Sequence, residues 1–393
     1  MRKISANYIF PVSVPPLKNG IIVVEKTGKI LEVIDTGGDL REIAGLEFYN
    51  GIIVPGFVNT HCHLELSHLK NKIPRRCGLD QFIFHISTNR ASSKQVIRKA
   101  IENAHFEMIR NGIVAVGDIS NTSESFDLKV DNKIRYHTFL EVYGLKSKMA
   151  SDIINQATKL SSLIQNKYPH SHTIVPHAPY SVSPDLFRQI TLKTKYGPIS
   201  IHNQESSGEI LLFKEKKGDL FSVLSKLIPE LKKWEPEFEN SLRYSLEYLK
   251  GVQQILLVHN TYTTYEDILL ACMHNSEIFW VLCPNANLYI EDQLPDIPLF
   301  IRENLNISLG TDSLASNSHL SILSEMKTVS KYFPEIHTEE IVRWGTINGA
   351  KALNMNHELG TIEKGKKPGL NLISNLDLQK IRLTDESVIR KII

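Results

Sequence analysis

Short apolar runs recur along the chain, each followed by a longer stretch with helical spacing. The runs are 52–63 (IIVPGFVNTHCH), 112–120 (GIVAVGDIS), 134–144 (IRYHTFLEVYG) and 172–181 (HTIVPHAPYS). They continue with 198–206 (PISIHNQES), 254–262 (QILLVHNTY), 277–287 (EIFWVLCPNAN) and 306–316 (NISLGTDSLAS). Rich in Val, Ile, Leu and Phe, each reads as a strand buried on both faces, the pattern of a parallel sheet. Between most of them lies a segment able to form an amphipathic helix, such as VIRKAIENAHFEMIRN at 96–111. Eight strands alternating with helices predict a (β/α)8 TIM barrel, of class α/β, over residues 51–356. The insertion at 207–250 is long enough to hold extra helices or a loop near the barrel mouth.

The two chain ends have a different period. GIIVVEKTGKILEVID at 20–35 alternates as short strands do, with Lys26-Thr27-Gly28-Lys29 as a hairpin turn. The tail from His357 onward, with LGTIEKGKKPGLNLI, has the same texture. Residues 1–50 and 357–393 are therefore expected to form one small β-sandwich domain. The plainer alternative is that both ends only decorate the barrel.

Composition adds exclusions. With 45 basic and 43 acidic side chains the formal net charge is +2, which gives no electrostatic reason to expect nucleic acid or an anionic membrane as partner. No apolar run reaches the length of a membrane span, and the first residues lack the apolar core of a secretory signal. Cys62, Cys77, Cys272 and Cys283 form no C-x-x-C pair. A reduced, cytoplasmic setting follows as the expectation.

The candidate chemistry sits at the C-terminal ends of the runs, where barrels of this kind place their active sites. The first run ends in His61-Cys62-His63, and side chains at i and i+2 on a strand share a face. A lone H-x-H is weak evidence. Here His202 and Glu205 end the fifth run, His259 the sixth and Asp312 the eighth. Packing does not account for four histidines and an aspartate at four strand ends. Imidazole and carboxylate suit Zn2+, with Fe2+ as the alternative. Such a site lowers the pKa of a metal-held water toward ~7. An aminated heterocyclic carbon is a poor electrophile and needs its ring nitrogen protonated during attack. Glu205, beside a ligand, is placed to carry that proton; its plainer reading is a surface carboxylate opening the next helix.

PGFVNTHCHLELSH, the His-x-x-Glu at 202–205, VHN at 258–260, GTDS at 310–313 and TINGAKALNMNHELGTIEKGKKPG resemble the amidohydrolase superfamily, in particular its cytosine, guanine, adenosylhomocysteine and aminofutalosine deaminase-like branch. The resemblance covers nearly the whole chain. It implies one metal held by His61, His63, His202 and Asp312. It also implies His259 hydrogen-bonding the water, Asp312 helping to deprotonate that water, and Glu205 carrying the proton to the ring. Members with two metals need a lysine at the fourth strand, and here that strand ends in His177-Ala178-Pro179-Tyr180. His177 is a candidate substrate contact or a structural histidine. Glu65 either reads a polar group such as a ribose or caps the following helix. Asp118 and Glu141 stand as candidates for supporting positions. The sugar-binding arginines of adenosylhomocysteine deaminases find no clear match.

The expectation is therefore an enzyme, a deaminase acting on a purine-like or nucleoside-related heterocycle, alone or as a homodimer. Two other readings compete with it. A triazine-type hydrolase would cut another C–N or C–Cl bond at the same site. A metal-free assembly protein would have lost ligands that are all present here.

Overall fold

The computed structural model describes residues 1–131, 133–168, 170–194 and 196–393. Each apolar run contains a strand: β1 (Phe57–Cys62), β2 (Ile113–Ser120), β3 (Arg135–Val142), β4 (Ser171–Pro176), β5 (Pro198–Asn203), β6 (Gln254–His259), β7 (Glu277–Leu282) and β8 (Asn306–Leu309). Most of their residues are buried, as continuous apolar runs require. The helix predicted over 96–111 is present as Lys94–Arg110, with the Ser93 hydroxyl capping it through the Val96 N–H.

The eight strands pair as two parallel four-stranded sheets, β1 to β4 and β5 to β8, each in chain order. The expectation of one continuous closed ladder is thus met only in part. Where the halves meet, the main-chain hydrogen bonds are few and lie at strand ends. The His202 N–H reaches the His177 carbonyl at 3.0 Å, and the Thr311 and Asp312 N–H groups reach the His61 carbonyl at 3.0 and 3.1 Å. These seams lie among the candidate site residues, whose turns depart from the extended geometry a ladder needs. Close approach at one seam depends on Gly310: a Cβ there would lie 2.9 Å from His61 Cβ and 3.1 Å from Cys283 Sγ.

The first run divides. Leu46–Pro55 belongs to the terminal sheet and β1 to the barrel strands, with Gly56 at the break. A Cβ on Gly56 would stand 2.6 Å from the Pro368 carbonyl, so a larger residue would displace the segment that carries Pro368.

Strands from both chain ends share one sheet, in the order Val388–Lys391, Leu370–Ser374, Leu46–Pro55, Arg2–Ile9, Ile21–Val24, Ile30–Ile34, with Leu17–Lys18 also paired to Arg2–Ile9. The hairpin between Ile21–Val24 and Ile30–Ile34 is antiparallel, and its turn has Gly28 at φ +83°. Instead of a two-sheet sandwich, the described residues form a single seven-stranded sheet. Its own small core gathers Ile4, Ala6, Ile9, Ile22, Val24, Ile30, Ile53, Leu370 and Leu372 from the strands, with Ile362, Ile392 and Ile393 from outside the strands packed among them.

The insertion folds as helices Ser207–Glu215, Gly218–Leu227 and Ser241–Tyr248, with a 3-10 turn at Pro229–Lys233. Phe213, Trp234 and Tyr244 pack ring against ring at its centre, 5.3 to 5.8 Å apart. Among the described residues no helix is long and apolar enough to cross a membrane.

Candidate active site

His61, His202, His259 and Asp312 come together from four strand ends, each offering one ligand atom within 4.8 Å of the others. All four residues are buried. His63 joins at one side, its Nε2 lying 3.1 Å from His61 Nε2 and 3.4 Å from Asp312 Oδ1. His61 Nε2 is 3.5 Å from the same oxygen. Donors about 2.0–2.1 Å from a tetrahedral ion stand roughly 3.3–3.5 Å apart. The three spacings among His61, His63 and Asp312 match that separation.

Protonation points the same way. Burial lowers His61 to about 4 and His63 to about 3, leaving neutral imidazoles with free lone pairs. Burial alone would raise Asp312, but the His61 hydrogen bond, with His63 and His259 alongside, outweighs it and holds the carboxyl well below its usual range. Neutral imidazole and ionised carboxylate are the ligand forms.

Neighbouring acceptors set the tautomers. His202 Nδ1 donates to the His177 carbonyl at 2.8 Å, which leaves Nε2 bare. His259 Nδ1 donates to Asn287 Oδ1 at 2.8 Å, with the same consequence. Asp312 Oδ2 accepts from the Ser316 hydroxyl. His259, Asn260 and Asp312 take left-handed backbone angles, φ +78°, +58° and +55°, and Gln204 takes +46°. Strain of this kind, about 1–3 kcal/mol per residue, collects at functional sites because it turns side chains off the strand axis.

Glu205 lies just beyond β5, buried, with Oε1 3.6 Å from His259 Nε2. Burial raises its carboxyl to about 8. His177 ends β4, and its Nδ1 meets the Ser181 hydroxyl at 2.9 Å. Glu65 sits in the 3-10 turn Leu64–Leu69, where its carboxylate accepts the N–H groups of Asn121 and Thr122 and the Thr122 hydroxyl at 2.8–3.1 Å. Both of its oxygens are thus engaged by the loop after β2.

Asp118 forms a fully buried ion pair with Lys129 at 2.6 Å, and its other oxygen accepts the Leu64 N–H at 2.9 Å. Glu141, at the end of β3, turns an unpartnered buried Oε1 toward His202, 3.8 Å from Nδ1. Sequence reasoning missed Lys129, Asn287, Ser316 and Glu209. Asn287 and Ser316 carried a signal, each closing an apolar run; Lys129 and Glu209 fall in helical turns of ordinary composition.

Parallel strands in two halves thus carry, at their C-terminal ends, a His/Asp cluster that could hold a metal. The chain belongs to the amidohydrolase family, whose model matches residues 52–390, and family members of this kind act on C–N bonds other than peptide bonds. An adenosine deaminase of Helicobacter pylori is 26% identical over 335 residues, covering 83% of this chain and 79% of its own. Among solved structures, H. pylori aminofutalosine deaminase with methylthio-coformycin superposes with a TM-score of 0.78 at 22% identity, over 97% of this chain and 95% of that one. An adenosine deaminase from Xanthomonas campestris with bound zinc gives 0.72 at 20% identity, over 97% and 88%.

Proposed function

We propose that the chain deaminates a purine-like or nucleoside-related heterocycle hydrolytically, at a single Zn2+ centre. His61, His63, His202 and Asp312 hold the ion in this reading, and His259 orients the attacking water. When bound, the ion lowers the pKa of that water toward ~7. Asp312, ionised, accepts the water's proton. Glu205 holds a proton at its buried carboxyl and delivers it to the ring nitrogen as attack proceeds. His177, at the rim, contacts the substrate, and Glu65 acts through the loop it clamps. The strand-end hydrogen bonds joining the two sheets support a (β/α)8 barrel over 51–356, and the shared terminal sheet supports a second unit from 1–50 and 357–393.

The observation that carries the reading is Glu205: a buried, proton-retaining carboxyl 3.6 Å from His259, at the edge of the donor cluster. The names of the relatives, adenosine and aminofutalosine deaminases, favour nucleoside deamination over triazine hydrolysis. The test is ammonia release from aminopurines, pterins, adenosine-type nucleosides and aminofutalosine, with native chain and Glu205→Gln compared on whichever substrate turns over. Gln keeps the shape and cannot carry the proton, so kcat should fall ~10²–10⁴-fold with metal content unchanged. Loss of metal would make Glu205 a ligand, and near-normal turnover would remove it from the mechanism.

A further inference from the structure

A second buried carboxylate holds the turn that carries Glu205. Glu209 lies on the first turn of the Ser207–Glu215 helix and is 1% exposed. Its Oε1 accepts the Gln204 N–H at 3.2 Å. Burial raises this carboxyl to about 7, and the Ser241 hydroxyl and the Gln204 and Glu205 N–H groups beside it act in the opposite direction by favouring its charged form. The Gln204 N–H bond, with the Glu205 N–H next to the same group, restrains the peptide planes on either side of Gln204 and with them the direction in which the Glu205 side chain leaves the backbone.

The turn needs such a hold. Gln204 is left-handed at φ +46°, a conformation that an L residue with a side chain adopts only when its surroundings impose it. Its carbonyl accepts the Tyr262 N–H at 3.0 Å, and its side-chain oxygen accepts the Thr263 hydroxyl at 2.7 Å. Those bonds fix Gln204 from the side of β6. Glu209 fixes it from the side of the insertion, because Ser241 opens the Ser241–Tyr248 helix some thirty residues further on. None of the groups beside the Glu209 carboxyl is a donor atom of the metal-competent cluster.

We propose that Glu209 is the positioning residue for Glu205, and that the 207–250 insertion serves the active site by buttressing Glu209 through Ser241. The inference rests on the reading of Glu205 as the proton carrier. Glu209 acts on the rate of proton delivery, not on metal or substrate binding.

The experiment is a pair of double-mutant cycles on the full-length, metal-loaded chain, with the substrate found by the ammonia-release screen. Glu209→Gln and Ser241→Ala are each made alone and together with Glu205→Gln. Glu209→Gln should keep its metal and its KM and lose kcat ~10–10²-fold, the usual effect of a misplaced catalytic group. Ser241→Ala should lose less, in the same direction. Neither change should lower kcat further once Glu205 is Gln, since a residue acting only through another has nothing left to act on. A merely structural role would lower kcat equally in both backgrounds, and that additivity overturns the proposal, as does loss of metal from Glu209→Gln. If Glu209→Gln does not fold, the Ser241→Ala cycle decides on the same criterion. Near-normal turnover by Glu205→Gln alone overturns the proton-carrier reading, and this inference falls with it; additive cycles on an impaired Glu205→Gln overturn this inference alone.

Discussion

His259 and Asn287 hold each other twice: His259 Nδ1 donates to Asn287 Oδ1 at 2.8 Å, and Asn287 Nδ2 donates to the His259 carbonyl at 3.4 Å. The second bond fixes which way the Asn287 amide faces, and the first then fixes the imidazole tautomer. Replacing Asn287 with Ala removes both. Turnover is expected to drop ~10–10²-fold, the usual cost of losing an outer partner of a metal-site histidine. Steady-state kinetics with metal analysis checks this, and unchanged kcat would show that the His259 ring needs no such support.

The four proposed ligands, His61, His63, His202 and Asp312, include no lysine to bridge two ions, so elemental analysis is expected to find one divalent ion per chain. His61→Ala and Asp312→Ala should each lose metal affinity and turnover together. Two equivalents of tightly bound metal, or normal turnover by metal-replete Asp312→Ala, would refute the assignment.

Lys129 and Asp118 are fully buried and 2.6 Å apart, and Lys129 Nζ also bonds the Ser120 and Thr138 hydroxyls at 3.0 and 2.9 Å. Lys129→Met leaves the Asp118 charge uncompensated, and such losses cost about 3–5 kcal/mol. Urea unfolding should show that deficit, and the double change Lys129→Met with Asp118→Leu should recover part of it. A midpoint equal to that of the native chain would contradict the buried pairing.

The Arg2 guanidinium holds Glu47 at about 2, down from 4.5, with Tyr49 adding a hydrogen bond. A carboxyl with a depressed folded pKa stabilises the fold above 4.5 and loses that contribution as the pH falls toward 2. Thermal melts of native chain and Glu47→Gln should differ most near neutrality and converge between pH 4.5 and 2. Because the pair is about one-third exposed, the gap should also shrink in high salt. A gap that widens in acid would contradict a carboxyl held low by Arg2.

The sequence by itself determined the strands and the residues at their ends. Continuous apolar runs such as QILLVH at 254–259 have one stable fate, burial between two layers, and polar groups such as His259 then fall where the strand leaves the core. His61, His202, His259 and Asp312 were legible for that reason. What the tertiary structure decided is everything that depends on two distant segments meeting. Run 52–63 is broken at Gly56 by the return of Pro368 from the far end of the chain, which periodicity within the run does not encode. Glu65 carries the same local signal whether it faces a substrate or a loop, and only the position of Thr122 directs it to the loop. Lys129, Asn287 and Glu209 became visible only with their partners Asp118, His259 and Gln204. A hydrogen-bond donor or acceptor in a sequence has no address until packing supplies its complement, whereas a hydrophobic run carries its address, the interior, in its own composition.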